Sequence, residues 1–187
     1  MKPLSSRFDE ALVYASRLHK NQKRKGSGIP YFSHLLGVTA LVLENGGDED
    51  VAIAALLHDA VEDQGGIKVL NEIKSRFGER VANIVEGCSD AFSFPKPPWK
   101  TRKEQYLARL MSAGPEVIQV SLADKVHNSS TTLRDLQKDG KVVWGRFNGG
   151  RDSTLWYYEA LVGVFEMKTT SILLNEFKRL VKELSEY

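Results

Sequence analysis

Apolar residues recur at helical spacing along almost the whole chain. A stripe near the amino terminus consists of Phe8, Leu12, Ala15 and Leu18. A similar stripe near the carboxyl terminus consists of Ile172, Leu173, Phe177, Leu180, Val181 and Leu184. Residues three or four positions apart share one face of a helix, whereas a half-buried strand alternates apolar and polar residues, and no segment shows that alternation convincingly. The pattern therefore predicts an all-α protein.

Glycine and proline residues divide the chain into helical segments, because they can end one helix or open the next. The main breaks lie at 26–30, 46–47, 65–66, 78, 95–98, 114–115, 140 and 149–150. They predict a bundle of about eight or nine helices. We expect Asp48 to cap the helix that carries His58, and Thr101 to cap a helix that begins near Arg102, because both side chains can accept hydrogen bonds from first-turn amides.

Composition limits the organisation and the partners of the protein. With 187 residues and 42% hydrophobic content, the chain can bury one sizeable core, so we expect residues 1–187 to form a single domain. The net charge of +2 comes from interspersed charges, which argues against a nucleic acid polymer as partner. A single cysteine, Cys88, excludes an intramolecular disulfide. The absence of a signal-like or membrane-spanning apolar run leads us to expect a cytoplasmic protein without a membrane partner, and whether it forms a homo-oligomer stays open.

Two adjacent ionisable residues, His58 and Asp59, interrupt the apolar run at 51–60. Burial of such a pair costs several kcal/mol unless something compensates, and a divalent cation would do so. His34 and Asp124 occupy similarly apolar helical surroundings. Two imidazole nitrogens and two carboxylate oxygens suit a borderline or hard divalent ion, so these four residues are the candidate metal ligands.

Each candidate has a plainer interpretation when it is taken alone. A lone histidine such as His34 is more often a satisfied core residue, and Asp124 alone would more often pair with Lys125 or Arg134. The joint occurrence of the four favours a metal site. They can meet only if three helices pack around a shared cleft, and those helices are predicted to begin near Tyr31, Glu49 and Pro115.

A pair of acids follows the His-Asp pair by one helical turn. On one continuous helix, Glu62 would be the i+4 neighbour of His58, and Asp63 that of Asp59. Acidic side chains near the carboxyl end of a helix oppose its dipole and gain nothing there structurally. Their position therefore favours a chemical role.

Four segments of the chain together carry a family resemblance. They are ASRLHKNQKRKG at 15–26, PYFSH at 30–34, LLHDAVED at 56–63 and LADKVHN at 122–128. This combination resembles the hydrolase domain of RelA/SpoT-type enzymes, members of the HD superfamily of metal-dependent phosphohydrolases. The resemblance implies a helical HD-domain bundle that removes the 3′-pyrophosphate from guanosine alarmones such as ppGpp, usually with manganese. Because there is no room for a synthetase or regulatory domain, we expect a stand-alone small alarmone hydrolase.

The resemblance also implies roles for individual residues. By position, the metal ligands would be His34, His58, Asp59 and Asp124, the acids beside the attacking water Glu62 and Asp63, and the nucleotide-binding residues Arg24, Lys25, Lys125 and Asn128. Arg24 and Lys25 lie in a basic, glycine-containing segment at 20–28 that can bring side chains and amides to phosphate. The segments at 146–152 and 154–158 differ from guanosine-specific members, which leaves the choice between guanine and adenine open.

Sequence spacing does not distinguish among several other basic residues that could bind the substrate. A second basic set, which could close over polyphosphate, consists of Lys96, Lys100, Arg102 and Lys103, and Arg146 and Arg151 are equally eligible. We interpret the carboxyl-terminal aromatics as core, and they are Trp144, Trp156, Tyr157 and Tyr158. His19 and His127 are interpreted as structural. Two alternatives to the alarmone hydrolase stay open: an HD phosphohydrolase of another phosphorylated nucleotide, and a non-catalytic nucleotide-binding sensor.

Overall fold

A computed structural model describes residues 3–90 and 97–187 of the chain, and these residues form an all-helical bundle. The α-helices are α1 (Ser6–Leu18), α2 (Phe32–Glu44), α3 (Glu49–Leu57), α4 (Ala60–Gln64), α5 (Gly66–Phe77), α6 (Glu79–Cys88), α7 (Trp99–Ser112), α8 (Pro115–Asp139), α9 (Gly150–Lys168) and α10 (Ile172–Ser185). A 3-10 helix, Gly140–Arg146, joins α8 to α9. Within the described residues the only β-type pairing is one isolated bridge, between Lys23 and Pro30. The all-α prediction is confirmed.

Helix α3 is the centre of the core. All residues from Val51 to Leu57 are buried, and the helix packs against α1, α2, α6 and α8. A helix that is apolar on every side has no face to leave in water, which is why the others surround it. As predicted, Asp48 caps this helix, with its Oδ1 accepting from the Val51 amide at 3.2 Å.

The continuous helix predicted through His58 and Asp59 is wrong. Helix α3 ends at Leu57 and α4 begins at Ala60, so the two ionisable residues lie in a turn between them. This break is one reason why the described residues contain ten α-helices instead of eight or nine. The Asp59 carbonyl still accepts from the Asp63 amide at 3.0 Å, so the chain changes direction without losing every helical contact.

Helix α7 begins earlier than predicted. Trp99 is its first residue and Pro98 occupies the N-cap position, so Thr101 lies inside the first turn and does not cap the helix. Proline is well suited to this start because it has no amide hydrogen to satisfy.

Helix α8 is the longest element, and it links the core to the carboxyl-terminal helices. Its 25 residues span about 37 Å. It packs against α2, α3, α6, α9 and α10. Pro115 opens it and Gly140, with φ of +71°, follows its end. The predicted helix starts near Tyr31, Glu49 and Pro115 are all confirmed. In the parts of the chain that the structure describes, no helix combines the length and apolar character needed to cross a bilayer.

Candidate metal centre and substrate cavity

The four predicted ligands lie close together. The Nε2 atom of His58 lies 3.0 Å from Asp59 Oδ2 and 3.7 Å from Asp124 Oδ1. The Nε2 atom of His34 lies 3.6 Å and 3.2 Å from the same two oxygens. Donor atoms that bind one cation at about 2.1 Å and at right angles are about 3 Å apart. The donor atoms of His34, His58 and Asp59 all lie within 4.8 Å of one another and fit a single ion, and Asp124 adjoins both imidazoles.

The hydrogen bonds of the two imidazoles support the same conclusion. Both Nε2 atoms are buried and, within residues 3–90 and 97–187, neither makes a hydrogen bond, although carboxylate oxygens are near. His58 Nδ1 lies 2.8 Å from the Ala55 carbonyl. Since a carbonyl can only accept, Nδ1 carries the hydrogen and the Nε2 lone pair is left for a metal. Nitrogen and carboxylate donors in this arrangement fit a divalent cation.

A neighbouring histidine fixes the ring of His34. Its Nδ1 lies 2.9 Å from Nδ1 of His127, and the two rings meet edge to face. Burial and the nearby His34 lower the pKa of His127 to about 4, so its neutral ring can accept the His34 Nδ1 hydrogen. Gly37 makes this contact feasible, because a Cβ there would come within 2.2 Å of the His127 ring. His127 was interpreted as structural, and its contact is with a metal-ligand candidate.

Polar partners hold both carboxylates in place. Asp124 accepts hydrogen bonds from the side chains of Lys125 and Asn128. The hydroxyl of Tyr31 donates to Asp59 Oδ2 at 2.5 Å. The sequence pattern identifies Tyr31 only as the start of a helix. Tyr31 and Asp59 are 28 positions apart in the chain, so no local sequence pattern indicated their contact.

Charges within the candidate ligand set shift the pKa values of its members. Burial alone would raise the pKa of Asp124, but the Lys125 ammonium and the two imidazoles hold it well below its usual range. Burial has the same upward effect on the pKa of Asp59, which His58 and His34 overcome. Burial alone would lower the pKa of His58, whereas the two carboxylates raise it well above its usual value. Without a cation, the carboxylates thus hold a proton where a metal would sit.

A cavity of about 380 Å³ adjoins this centre. Its walls include six basic side chains, which belong to Arg24, Lys25, Arg102, Lys103, Lys125 and Arg146. A smaller cavity of about 150 Å³ is bounded by the metal-site carboxylates themselves and also by Glu62, Lys103 and Tyr157. An anionic ligand in the larger cavity would therefore reach the metal centre through a positively charged space.

The predicted nucleotide-binding residues all line the larger cavity. Arg24 Nη2 donates to Asn128 Oδ1 at 2.7 Å, which ties the basic loop to α8. Lys25 Nζ donates to Asn148 Oδ1 at 2.8 Å, which ties the same loop to the segment before α9. The loop is therefore anchored on both sides of the cavity.

The two predicted acids are placed differently. Glu62 lines both cavities, and its Oε2 lies 3.4 Å from the Asp90 amide. Asp63 is exposed, is absent from the walls of both cavities and accepts from the Gln22 side chain at 2.8 Å. The geometry thus brings Glu62, but not Asp63, to the metal centre.

Of the basic residues that spacing could not separate, three reach the larger cavity, namely Arg102, Lys103 and Arg146. Lys100 lies over the ring of Trp156 and Arg151 bonds the Ser185 carbonyl, while Lys96 is outside the described residues. A buried carboxylate missed by sequence reasoning, Asp90, holds Arg102 Nη1 at 2.5 Å and Lys103 Nζ at 2.6 Å. No local sequence motif indicates this role of Asp90.

The aromatic residues assigned to the core divide into two groups. Trp144 is buried away from both cavities, as predicted. The core assignment of Trp156 is wrong, because this residue is 37% exposed and lies outside both cavities. Tyr157 and Tyr158 are also buried, yet both line the larger cavity. Tyr157 and Tyr158 are therefore core residues that also line the candidate substrate cavity.

Comparison with known proteins agrees with this geometry. A family model described as HD domain matches residues 11–152. Over 138 residues the chain is 36% identical to the guanosine-3′,5′-bis(diphosphate) 3′-pyrophosphohydrolase MESH1 of Mus musculus, covering 72% of each protein. It is 39% identical over 127 residues to a guanosine-3′,5′-bis(diphosphate) 3′-pyrophosphohydrolase of Aquifex aeolicus (strain VF5), which covers 66% of this chain and 17% of that protein.

The fold has a close counterpart among solved structures. A metazoan ortholog of SpoT, described as hydrolysing ppGpp and having a role in starvation responses, superposes with a TM-score of 0.80. The match covers 97% of both chains at 26% identity. These similarities confirm the resemblance to RelA/SpoT-type hydrolases. Because the family model also matches well over half of the sequence, the chain belongs to the HD domain family.

Proposed function

We propose that the protein is a metal-dependent hydrolase that removes the 3′-pyrophosphate from a purine nucleotide alarmone, ppGpp or its adenosine analogue. The observation that carries this proposal is the convergence of two imidazole nitrogens and two carboxylate oxygens beside a cation-lined cavity. The relatives named as pyrophosphohydrolases support the choice of substrate.

His34, His58, Asp59 and Asp124 would hold the divalent ion, which we propose to be Mn²⁺. When bound there, the ion would acidify a water molecule and offset the charge of the phosphate. Mixed nitrogen and oxygen donors suit manganese, and an ion that prefers about six ligands keeps room for water and substrate beside four protein groups.

Glu62 is the residue best placed to act on the attacking water. Its carboxylate lines the smaller cavity together with Asp59 and Asp124, so it can orient the water and accept its proton. The water oxygen bonds to the phosphorus that carries the ribose 3′ oxygen. The 3′ O–P bond then breaks, pyrophosphate departs and the 3′ oxygen takes a proton. We propose Asp63 as a positioning residue, acting through its contact with Gln22.

The basic walls of the cavity would bind the substrate and stabilise the leaving group. Arg24, Lys25, Lys125 and Asn128 are the proposed nucleotide-binding residues, and Arg102 and Lys103 add two cations on the opposite helix. Preorganised cations stabilise charge that develops in the transition state without needing to rearrange. Because such residues attract polyphosphates in general, the product and not binding alone must identify the reaction.

Product analysis tests the proposal. Purified protein is loaded with Mn²⁺ and incubated with ppGpp or the adenosine analogue, and pyrophosphate, orthophosphate and nucleotides are separated by ion exchange. We expect pyrophosphate and a nucleotide with a free 3′ hydroxyl, and strongly reduced turnover by the matched Glu62→Gln variant. Release of orthophosphate alone would favour a different phosphohydrolase. Tight nucleotide binding without any product would favour a sensor.

The proposal also extends to organisation and location. We propose that residues 1–187 form a single domain, because α10 packs on both α8 and α9 and so joins the carboxyl terminus to the helix that carries Asp124. A nucleotide-consuming enzyme with one free, partly buried thiol would suit the cytoplasm. Size-exclusion chromatography with light scattering would establish whether the protein is a homo-oligomer.

A further inference from the structure

The hydroxyl of Tyr157 stands out among the buried polar groups. Helix α9 places this residue against the site with 4% of its surface exposed. Its Oη atom is buried and, within the described residues, makes no hydrogen bond. A buried polar atom left in this way is unfavourable, and native proteins rarely keep one without a functional reason. The similarly unbonded Nε2 atoms of His34 and His58 are accounted for by a metal.

The surroundings of this hydroxyl indicate what it could bind. Tyr157 lines the smaller cavity together with Asp59, Glu62 and Asp124, and it also lines the larger one. Burial raises the pKa of Tyr157, an effect only partly offset by Lys125, so the hydroxyl keeps its proton and can donate it in a hydrogen bond. It is a neutral donor at the junction between the metal centre and the cation-lined cavity.

Two other buried tyrosines nearby do not share this combination of features. Tyr106 lines the smaller cavity, but its hydroxyl is 2.7 Å from Ser121 Oγ and is therefore satisfied. Tyr158 lines only the larger cavity. Among these three residues, Tyr157 alone joins both cavities and has an unsatisfied hydroxyl.

Ammonium groups beside Tyr157 can attract an anionic acceptor once a divalent ion offsets the carboxylates of the smaller cavity. Lys103 Nζ lies 4.9 Å from the centre of its ring, and Lys125 borders the same cavity. A pyrophosphate group seated between these ammonium groups and the metal centre would offer several oxygens to the hydroxyl. Hydrogen bonds to charged acceptors are about twice as strong as those between neutral groups.

We infer that Tyr157 is a substrate-binding residue whose hydroxyl donates a hydrogen bond to a non-bridging oxygen of the scissile 3′-pyrophosphate. This inference rests on the proposed function and adds to it a residue outside the segments that carry the family resemblance. It explains why α9 keeps a tyrosine where phenylalanine would fill the same space without burying an unsatisfied hydroxyl.

The test combines kinetics with stability in a pair of matched variants, Tyr157→Phe and Tyr14→Phe. The Tyr14 hydroxyl is bonded to Glu72 at 2.8 Å, far from the site. We expect Tyr157→Phe to lower kcat/KM by roughly 10- to 100-fold while its melting temperature stays the same or rises, because an unsatisfied hydroxyl is removed. Tyr14→Phe should instead keep kcat/KM and lower the melting temperature.

A binding measurement separates this inference from the proposed function. Calorimetry with inorganic pyrophosphate in the presence of Mn²⁺ should show binding about tenfold weaker for Tyr157→Phe than for wild type. Wild-type protein that binds pyrophosphate without hydrolysing an alarmone would overturn the proposed function, while the comparison of affinities would still decide the role of Tyr157. Equal affinities, or a kcat/KM within about twofold of wild type, would overturn the inference. Wild-type protein that neither binds pyrophosphate nor hydrolyses an alarmone would overturn both the inference and the proposed function.

Discussion

The buried carboxylate of Asp90 allows a quantitative prediction about stability. It is 7% exposed and binds both Arg102 and Lys103 at the start of α7. Burial alone would raise the pKa of Asp90, but the two cations lower it from 3.8 to about 2. Each tenfold change in proton affinity corresponds to about 1.4 kcal/mol, so the ionised carboxylate adds about 2 kcal/mol to the free energy of unfolding at neutral pH.

The pH dependence of this contribution follows from the direction of the shift. The folded-state pKa of Asp90 lies below the unfolded-state value, so the stabilisation is fully present well above pH 3.8. It is lost as the pH falls towards about 2, where the carboxylate takes up a proton in the folded protein as well. The substitution Asp90→Asn keeps the shape of the side chain and removes the charge at every pH.

Urea unfolding of wild type and Asp90→Asn checks the prediction. We expect the variant to be less stable by about 2 kcal/mol at pH 7, with a deficit that shrinks as the pH falls below about 4. Asp152→Asn is the matched control, because the side chain of Asp152 is 94% exposed beside Arg151 and its loss should change little. A variant within about 0.5 kcal/mol of wild type at pH 7, or a deficit that grows on acidification, would refute the reasoning.

Three further predictions concern the metal centre. Glu62→Gln should lower kcat by about 10²- to 10⁴-fold without changing Mn²⁺ affinity in calorimetry, and near-normal turnover would exclude Glu62 as the proton acceptor. His127→Ala should weaken Mn²⁺ binding by about 10- to 100-fold, because the ring of His34 loses its hydrogen-bond partner, and an unchanged affinity would contradict that role. The apparent Mn²⁺ affinity of wild type should rise as the pH increases through and above the ordinary titration range of histidine, because His58, whose pKa is raised by the two carboxylates, must release a proton to bind the ion; a flat profile in the same calorimetric assay would contradict this.

The grouping of His34, His58 and Asp59, three of the candidate metal ligands, could be predicted because their sequence context is unusual. His58 and Asp59 interrupt a run in which every residue from Val51 to Leu57 is buried. Ionisable groups in such surroundings need a compensating partner, and the amino-acid sequence shows this need directly. The helix starts could also be predicted from the sequence, because Asp48 accepts from a nearby amide and Pro115 stands at the first position of its helix. In both cases the predictive signal lies in neighbouring residues of the chain.

The features that escaped prediction depend on contacts between distant residues. Tyr157 is as buried as a core aromatic, and only the packing of α9 against α7 shows that a cavity lies beside it. The two cations that bind Asp90 belong to Arg102 and Lys103, which follow it by 12 and 13 positions in the chain. The N-cap predicted at Thr101 was wrong for a different reason: Pro98 can start the helix three residues earlier without a side-chain cap.

The turn between α3 and α4 carries two of the candidate metal ligands. His58 and Asp59 keep right-handed helical dihedrals in this turn, and Asp59 Oδ2 lies 3.0 Å from His58 Nε2. Tyr31 from the start of α2 then fixes that carboxylate from outside. The candidate site therefore places ionisable side chains at the buried end of α3, and the surrounding helices and a bound cation together can offset the cost of burying them.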